Sequence, residues 1–250
     1  MTDASPVAVA PNASPPLRFY MKEWLKDQRN YHRFNLRMAD YEFCLIHPVK
    51  CGGTFLKTIL GKNFNLFCWD HEPKVMHFGP EHKLLFACRD PIDRFESAFY
   101  SPLHRDETIG QNRRDFYHRY PTVNHYVRML SAHPVSTLRY AYLHNDLMGR
   151  FSKYSYWLGS QRAIKKHHHK IRYVFRTESL NHDIERFFSS LDLGKPDLSQ
   201  QSRYARPSSK FESLDRKSRC FLSGFLRDEY ELINCLLYHK GLPLYQIPHA

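Results

Sequence analysis

Three short stretches of this chain carry residues able to do chemistry on an anion. The first is Lys50-Cys51-Gly52-Gly53-Thr54. It follows an apolar run, Glu42 to Ile46, and precedes Phe55, Leu56, Ile59 and Leu60, which recur at helical spacing. Strand, glycine turn and helix N-terminus make the usual cradle for phosphate, because unpaired N–H groups and the helix dipole point at one place. Gly52 and Gly53 permit positive φ and a close backbone approach. Lys50 adds a full charge and Thr54 a hydroxyl donor. The order is not that of a Walker A loop, where Lys follows the last glycine and directly precedes Ser or Thr. Alone, such a turn is equally a plain strand-to-helix connection.

The second stretch, His82 to Ser101, gives the turn its support. Leu84 to Cys88 reads as a second buried strand, and Arg89-Asp90-Pro91 ends it. Pro91 suits the first turn of the helix that follows. Arg89 offers a forked cationic donor at the strand end, and Ser97, eight residues on, a hydroxyl about two turns into that helix. The third stretch is the polar loop Asp70 to His82 between them. It carries His71, His77, Glu81 and His82, and ligands in open α/β sheets gather at the C-terminal strand ends.

Together these segments resemble the sulfotransferases that use 3′-phosphoadenosine 5′-phosphosulfate (PAPS), in the carbohydrate branch. That family's 5′-phosphosulfate loop runs P-K-x-G-x-T, often K-x-G-G-T, and stands here as Val49-Lys50-Cys51-Gly52-Gly53-Thr54. Its 3′-phosphate segment, R-x-P-x-x-R-x-x-S, stands as Arg89-Asp90-Pro91-Ile92-Asp93-Arg94-Phe95-Glu96-Ser97. Tyr173 to Leu180 is a weaker likeness to the family's late strand and acidic turn. The resemblance spans roughly residues 40 to 240 in order. One departure is Val49, where the family has Pro, with Pro48 one place early.

The resemblance implies that Lys50, Cys51, Gly52, Gly53 and Thr54 hold the 5′-phosphosulfate, and Arg89 and Ser97 the 3′-phosphate. A late loop would cover the nucleotide; Arg203 and Arg206 are its candidates on charge. The implied activity is in-line transfer of a sulfuryl group from PAPS to an acceptor hydroxyl, leaving adenosine 3′,5′-bisphosphate. Lys50 would stabilise the leaving phosphate, and no metal is required. A base would come from the loop between the two motifs, and His suits that task near neutral pH. His77 is the first choice, because Val75 to Phe78 is the most strand-like part of the loop. His82 is second and Glu81 third; His71 stays open.

At 250 residues a single domain with a sizeable core is the default, here residues 17–250 after a Pro/Ala/Ser tail over 1–16 that is expected to be disordered. The formal charge is +12. Such a field attracts polyanions: a nucleotide, an acidic glycan, nucleic acid or anionic lipid. A carbohydrate or glycolipid acceptor, anionic in character, fits best, with Arg113, Arg114 and Arg119 facing it. No apolar run approaches the roughly 18 residues of a membrane span, and 1–16 lacks the features of a secretory signal. The expectation is a cytoplasmic, bacterial-type enzyme, or the soluble catalytic domain of an anchored protein, with peripheral membrane contact open. The six cysteines show no metal spacing. Cys51, at a helix N-terminus beside Lys50, is expected to have a lowered pKa.

Elsewhere the readings are structural. Residues 17–40 predict an amphipathic helix over the sheet edge, with a basic strip from Arg29 to Arg37 as the sharper alternative. Val123 to Ser131, Val135 to Met148, Leu180 to Leu191 and 212–239 read as helical. Tyr154 to Leu158 offers aromatics for a sugar or for the core, and Lys165 to Lys170 reads as a solvated basic turn. The sum is an α/β protein, and the resemblance implies a P-loop-like three-layer α/β/α sandwich with a central parallel sheet and an inserted helical region. Two other functions compete. A kinase-like phosphotransferase needs Mg²⁺ ligands and a Walker-type Lys. A basic nucleic-acid-binding module explains the charge but leaves Lys50, Arg89 and Ser97 without a role; no nucleic-acid partner is expected.

Overall fold

The computed structural model describes residues 25, 28–34, 40–68, 71, 73–104, 110–145, 147–148, 153–199 and 212–248. The expected tail over 1–16, Arg37, and Arg203 and Arg206 lie outside them.

The centre is a parallel sheet. Strand β1 (Phe43–Ile46) and strand β3 (Leu84–Cys88) are buried at every residue, which is why both read as unbroken apolar runs without alternation. Helix α2 (Gly53–Asn63) carries the chain from β1 to the short edge strand β2 (Leu66–Phe67), and β4 (Ile171–Arg176) closes the other side. The order is β2-β1-β3-β4, with every pair parallel. Cys44 lies opposite Leu84 and Ile46 opposite Phe86; Cys88 lies opposite Arg176. The chain leaves β1 toward β2, then crosses back to β3 on the far side. Winding therefore reverses between β1 and β3, and a crevice at the carboxyl ends of those two strands is where such sheets bind ligands.

Helices surround the sheet. α2 buries Phe55, Leu56, Ile59 and Leu60, the positions that the helical spacing marked. Helix α1 (28–34) sits at the edge: Phe34 is buried and meets Phe67 of β2 edge-on, with ring centroids 6.0 Å apart. Helix α3 (Pro91–Tyr100) starts with Pro91 in its first turn, capped by the Asp90 carboxylate, which accepts the N–H groups of Ile92 and Asp93. The helical insert follows as α4 (Gln111–Arg119), α5 (Val123–Ala132) and α6 (Pro134–His144). α6 stops short of the expected Met148, because Asn145 turns to extended backbone and closes the last turn on Ala141. Phe116 and Tyr126 of this insert join Phe99 of α3 and Leu222, much later in the chain, in a second aromatic-rich core. Helices α7 (Ser155–Leu158) and α8 (Gln161–His167) lead to β4, α9 (Leu180–Ser189) follows it, and α10 (Arg216–Phe225) and α11 (Arg227–His239) end the described helices.

Two local expectations change. Val75 to His77 is a 3-10 turn and not a strand; the His77 N–H donates back to Lys74 O at 2.9 Å, so the polar backbone closes on itself. Lys165 to Lys170, expected as a solvated basic turn, is the last turn of α8 continued by a 3-10 turn, and its final residue, Lys170, is buried. No helix among the described residues is long and apolar enough to cross a membrane.

Candidate functional site

The glycine loop leaves the carboxyl end of β1 as a tight turn, in which the Cys51 N–H donates to Pro48 O at 3.2 Å. Two residues take left-handed backbone: Gly52 at φ 73° and, unusually for a side-chain-bearing residue, Lys50 at φ 69°. Gly52 is the N-cap of α2 and brings no side-chain acceptor to the first turn. The N–H groups of that turn, Gly53 and Thr54 among them, therefore suit an anion supplied from elsewhere. Gly53 is fixed by crowding, because a Cβ there would fall 2.2 Å from His47 Nδ1. The Lys50 ammonium donates to Ser101 Oγ at 3.0 Å. Ser101 follows Ser97 by four residues at the end of α3, and such positions share a helix face. Lys50 thus reaches across to the face that carries Ser97.

Tyr154 joins the two motifs. Its hydroxyl donates to Arg89 O at 2.6 Å and accepts the Arg89 N–H at 2.8 Å, and the Cys51 sulfur lies 3.4 Å from the same oxygen. The Arg94 guanidinium stacks over the Tyr154 ring at 4.5 Å. The buried Glu229 carboxylate on α11 accepts the Tyr154 N–H, and burial holds that carboxyl above its usual range even so. Asp90 is tied in two further ways: Tyr230 donates to its carboxylate at 2.9 Å, and its own N–H donates to Glu178 at 2.7 Å. Sequence reading missed Tyr154, Glu178, Glu229 and Tyr230 as supports of this site. They lie 65 to 140 residues from the groups they touch, and no local spacing signals such a contact.

The expected activation of Cys51 is corrected. Its thiol is fully buried, and burial pushes its pKa up to about 11 although Arg94 and Arg89 pull the other way. The side chain turns into the core under the loop, where a thiolate would lose its hydration.

The four base candidates part company. His77 is 1 % exposed, stacks on Phe34, and its Nδ1 already accepts the Lys74 N–H. A base needs an accessible lone pair, so His77 fails on both counts. His82 and Glu81 precede β3, two and three residues before Leu84, and bind each other at 3.2 Å. Lys50 and Arg89 follow the other ends of β1 and β3. At about 3.3 Å per residue, the strand length separates His82 and Glu81 from the loop by roughly 15 Å, so neither serves there. His71 does stay beside the loop. Its Nδ1 lies 3.0 Å from His47 O, its ring meets the His47 ring at 4.8 Å, and the Trp157 indole N–H fixes its carbonyl at 2.9 Å. A carbonyl only accepts, so His71 Nδ1 carries a proton, and Nε2 is the ring nitrogen that a base role would use.

Comparison with protein-family models finds no match, and comparison with curated proteins finds none. The remaining candidates separate on geometry. Arg113 lines a cavity of about 490 Å³ with Gln111, Tyr142 and His144, between α4 and α6. Arg114 turns back to Gln111 Oε1 at 3.0 Å, and Arg119 stacks over Tyr140 at 4.4 Å. The three arginines therefore do not present one shared face. In the histidine run, His168 stacks on His239 at 4.4 Å, and among the described residues no three His, Cys, Asp or Glu side chains form a set able to hold a metal.

Proposed function

We propose that this protein is a PAPS-dependent sulfotransferase acting on a hydroxyl of a carbohydrate or glycolipid, with a P-loop-like three-layer arrangement around its sheet. One observation carries the reading. Two anion-suited segments with the family's residue order meet at the carboxyl ends of β1 and β3, at the reversal of winding, bolted together by Tyr154. The residues fit the cofactor: a helix N-terminus without a side-chain cap and Lys50 for the phosphosulfate, Arg89 and the Ser97 face of α3 for the 3′-phosphate. When bound, PAPS supplies the sulfuryl group. Lys50 holds the phosphate oxygen on which negative charge grows, and His71 takes the acceptor's proton at Nε2. The acceptor lies toward α4, where Arg113, Gln111 and Tyr142 offer charge, an amide and an aromatic face for a sugar.

The test is ligand-induced stabilisation followed by affinity. Adenosine 3′,5′-bisphosphate raises the Tm, while ATP and duplex DNA at the same concentration do not. Arg89→Ala removes a charge-assisted contact worth about 1.5–3 kcal/mol and weakens the bisphosphate about tenfold or more by calorimetry. Equal stabilisation by ATP points to a phosphotransferase and overturns the assignment, as does an unchanged affinity in a folded Arg89→Ala protein.

A further inference from the structure

The opposite end of the sheet holds a cationic cavity that the proposed reaction does not use. Its volume is about 290 Å³. It opens where β1, β3 and β4 begin, and Lys83, His169, Lys170 and Arg172 line it. Lys170 is the unusual member. It is 8 % exposed, and among the described residues its one hydrogen bond is to Phe78 O at 2.5 Å. An ammonium has three donors, and a buried charge is costly unless its partners match it. Burial draws Lys170 below the ordinary lysine range, and the nearby Glu81 carboxylate pulls the other way. Arg172 is exposed beside it, and Lys83 lies over the Phe43 ring at 5.7 Å. Among the described residues neither forms an ion pair with a carboxylate.

The other walls set the size and character of a ligand. Phe43, Pro80 and Leu191 give the cavity an apolar side. Glu42 and Glu81 also line it, Glu81 already engaged by His82 at 3.2 Å. Two carboxylates disfavour a dense polyanion and suit hydroxyl donors. The volume exceeds that of a lone oxyanion and sits near the low end of small-ligand sites, about 300 Å³. We infer that this cavity binds a sulfate or phosphate monoester carried on one sugar-sized ring. Lys170, Arg172 and Lys83 hold the ester, the apolar side faces the ring, and the two glutamates accept from its hydroxyls.

The inference is independent of the chemistry at the glycine loop, and its test keeps the two sites apart. Calorimetric titrations use the full chain carrying Lys50→Ala and Arg89→Ala, which disable the loop, with circular dichroism to verify folding. The probes are glucose 6-sulfate, glucose 6-phosphate, inorganic sulfate and glucose. At least one ester binds tenfold or more tightly than inorganic sulfate or glucose, and its affinity equals that for the parent chain. Adding Arg172→Ala or Lys83→Ala, both exposed positions that leave folding intact, weakens that ester tenfold or more; Lys170→Met does the same wherever it folds. The proposal is overturned if no ester binds, if the loop substitutions abolish binding, if glucose or inorganic sulfate binds as well as the esters, or if Arg172→Ala and Lys83→Ala both leave affinity unchanged.

Discussion

At the scale of single residues, the choice among histidines turns on where each one lies. His71, His77 and His82 are chemically identical in the sequence, and each lies between the two anion motifs. What separates them is where the chain goes. It leaves the glycine loop at His71, dives under Phe34 at His77, and emerges at the far end of the sheet by His82. None of that is readable from residue order, because the loop has no hydrophobic period to fix its path. On the sulfotransferase reading, His71→Ala lowers kcat by about 10²-fold or more and leaves bisphosphate affinity within a few-fold. The Trp157 contact survives the substitution, since it uses the His71 backbone carbonyl. A kcat within a few-fold of the parent removes His71 from the mechanism. A matching loss of bisphosphate affinity makes it a support of the loop instead.

At the scale of elements, the strands were the most legible part. Leu84–Cys88 appears with the bounds its apolar run predicts, and β1 within one residue of its own, because a strand buried on both faces has no reason to contain a polar residue. The glycine loop was legible in composition but not in conformation. Sequence marks Gly52 and Gly53 for positive φ, and of the two only Gly52 takes it; it does not mark Lys50, which takes φ 69° as well. A non-glycine residue there costs about 1–2 kcal/mol, and such strain persists where the surroundings hold it in place for function. The pair Lys50→Ala and Lys50→Gly isolates the backbone contribution, since both lose the ammonium and its bond to Ser101. Urea unfolding gives the Gly variant about 1 kcal/mol more stability than the Ala variant, while both bind the bisphosphate equally poorly. An Ala variant as stable as the Gly variant shows that the loop relaxes without strain.

At the scale of the whole molecule, the site is held by parts of the chain that sequence cannot connect. Asp90 follows β3, Glu178 follows β4, and Tyr245 lies beyond the last helix. The Tyr245 hydroxyl donates to one Glu178 oxygen at 2.9 Å, and the Asp90 N–H donates to the other at 2.7 Å. Tyr245 is itself anchored to α11, because its N–H and carbonyl bond the Asn234 side chain, each at 2.9 Å. Its hydroxyl also lies 3.6 Å from the Cys88 sulfur, and burial raises its pKa far above the usual phenol range. The C-terminal segment therefore braces the backbone on which Arg89 and the start of α3 sit. Tyr245→Phe removes one hydrogen bond to a partly solvated carboxylate, worth about 1 kcal/mol. If the brace positions Arg89, bisphosphate affinity falls a few-fold as well, and a cycle with Glu178→Gln shows coupling of about 0.5 kcal/mol or more between the two residues. A fall in stability with affinity unchanged makes the segment a strap for the fold alone. Additive effects in the cycle mean that Tyr245 and Glu178 act on the site separately, and the brace as described does not exist.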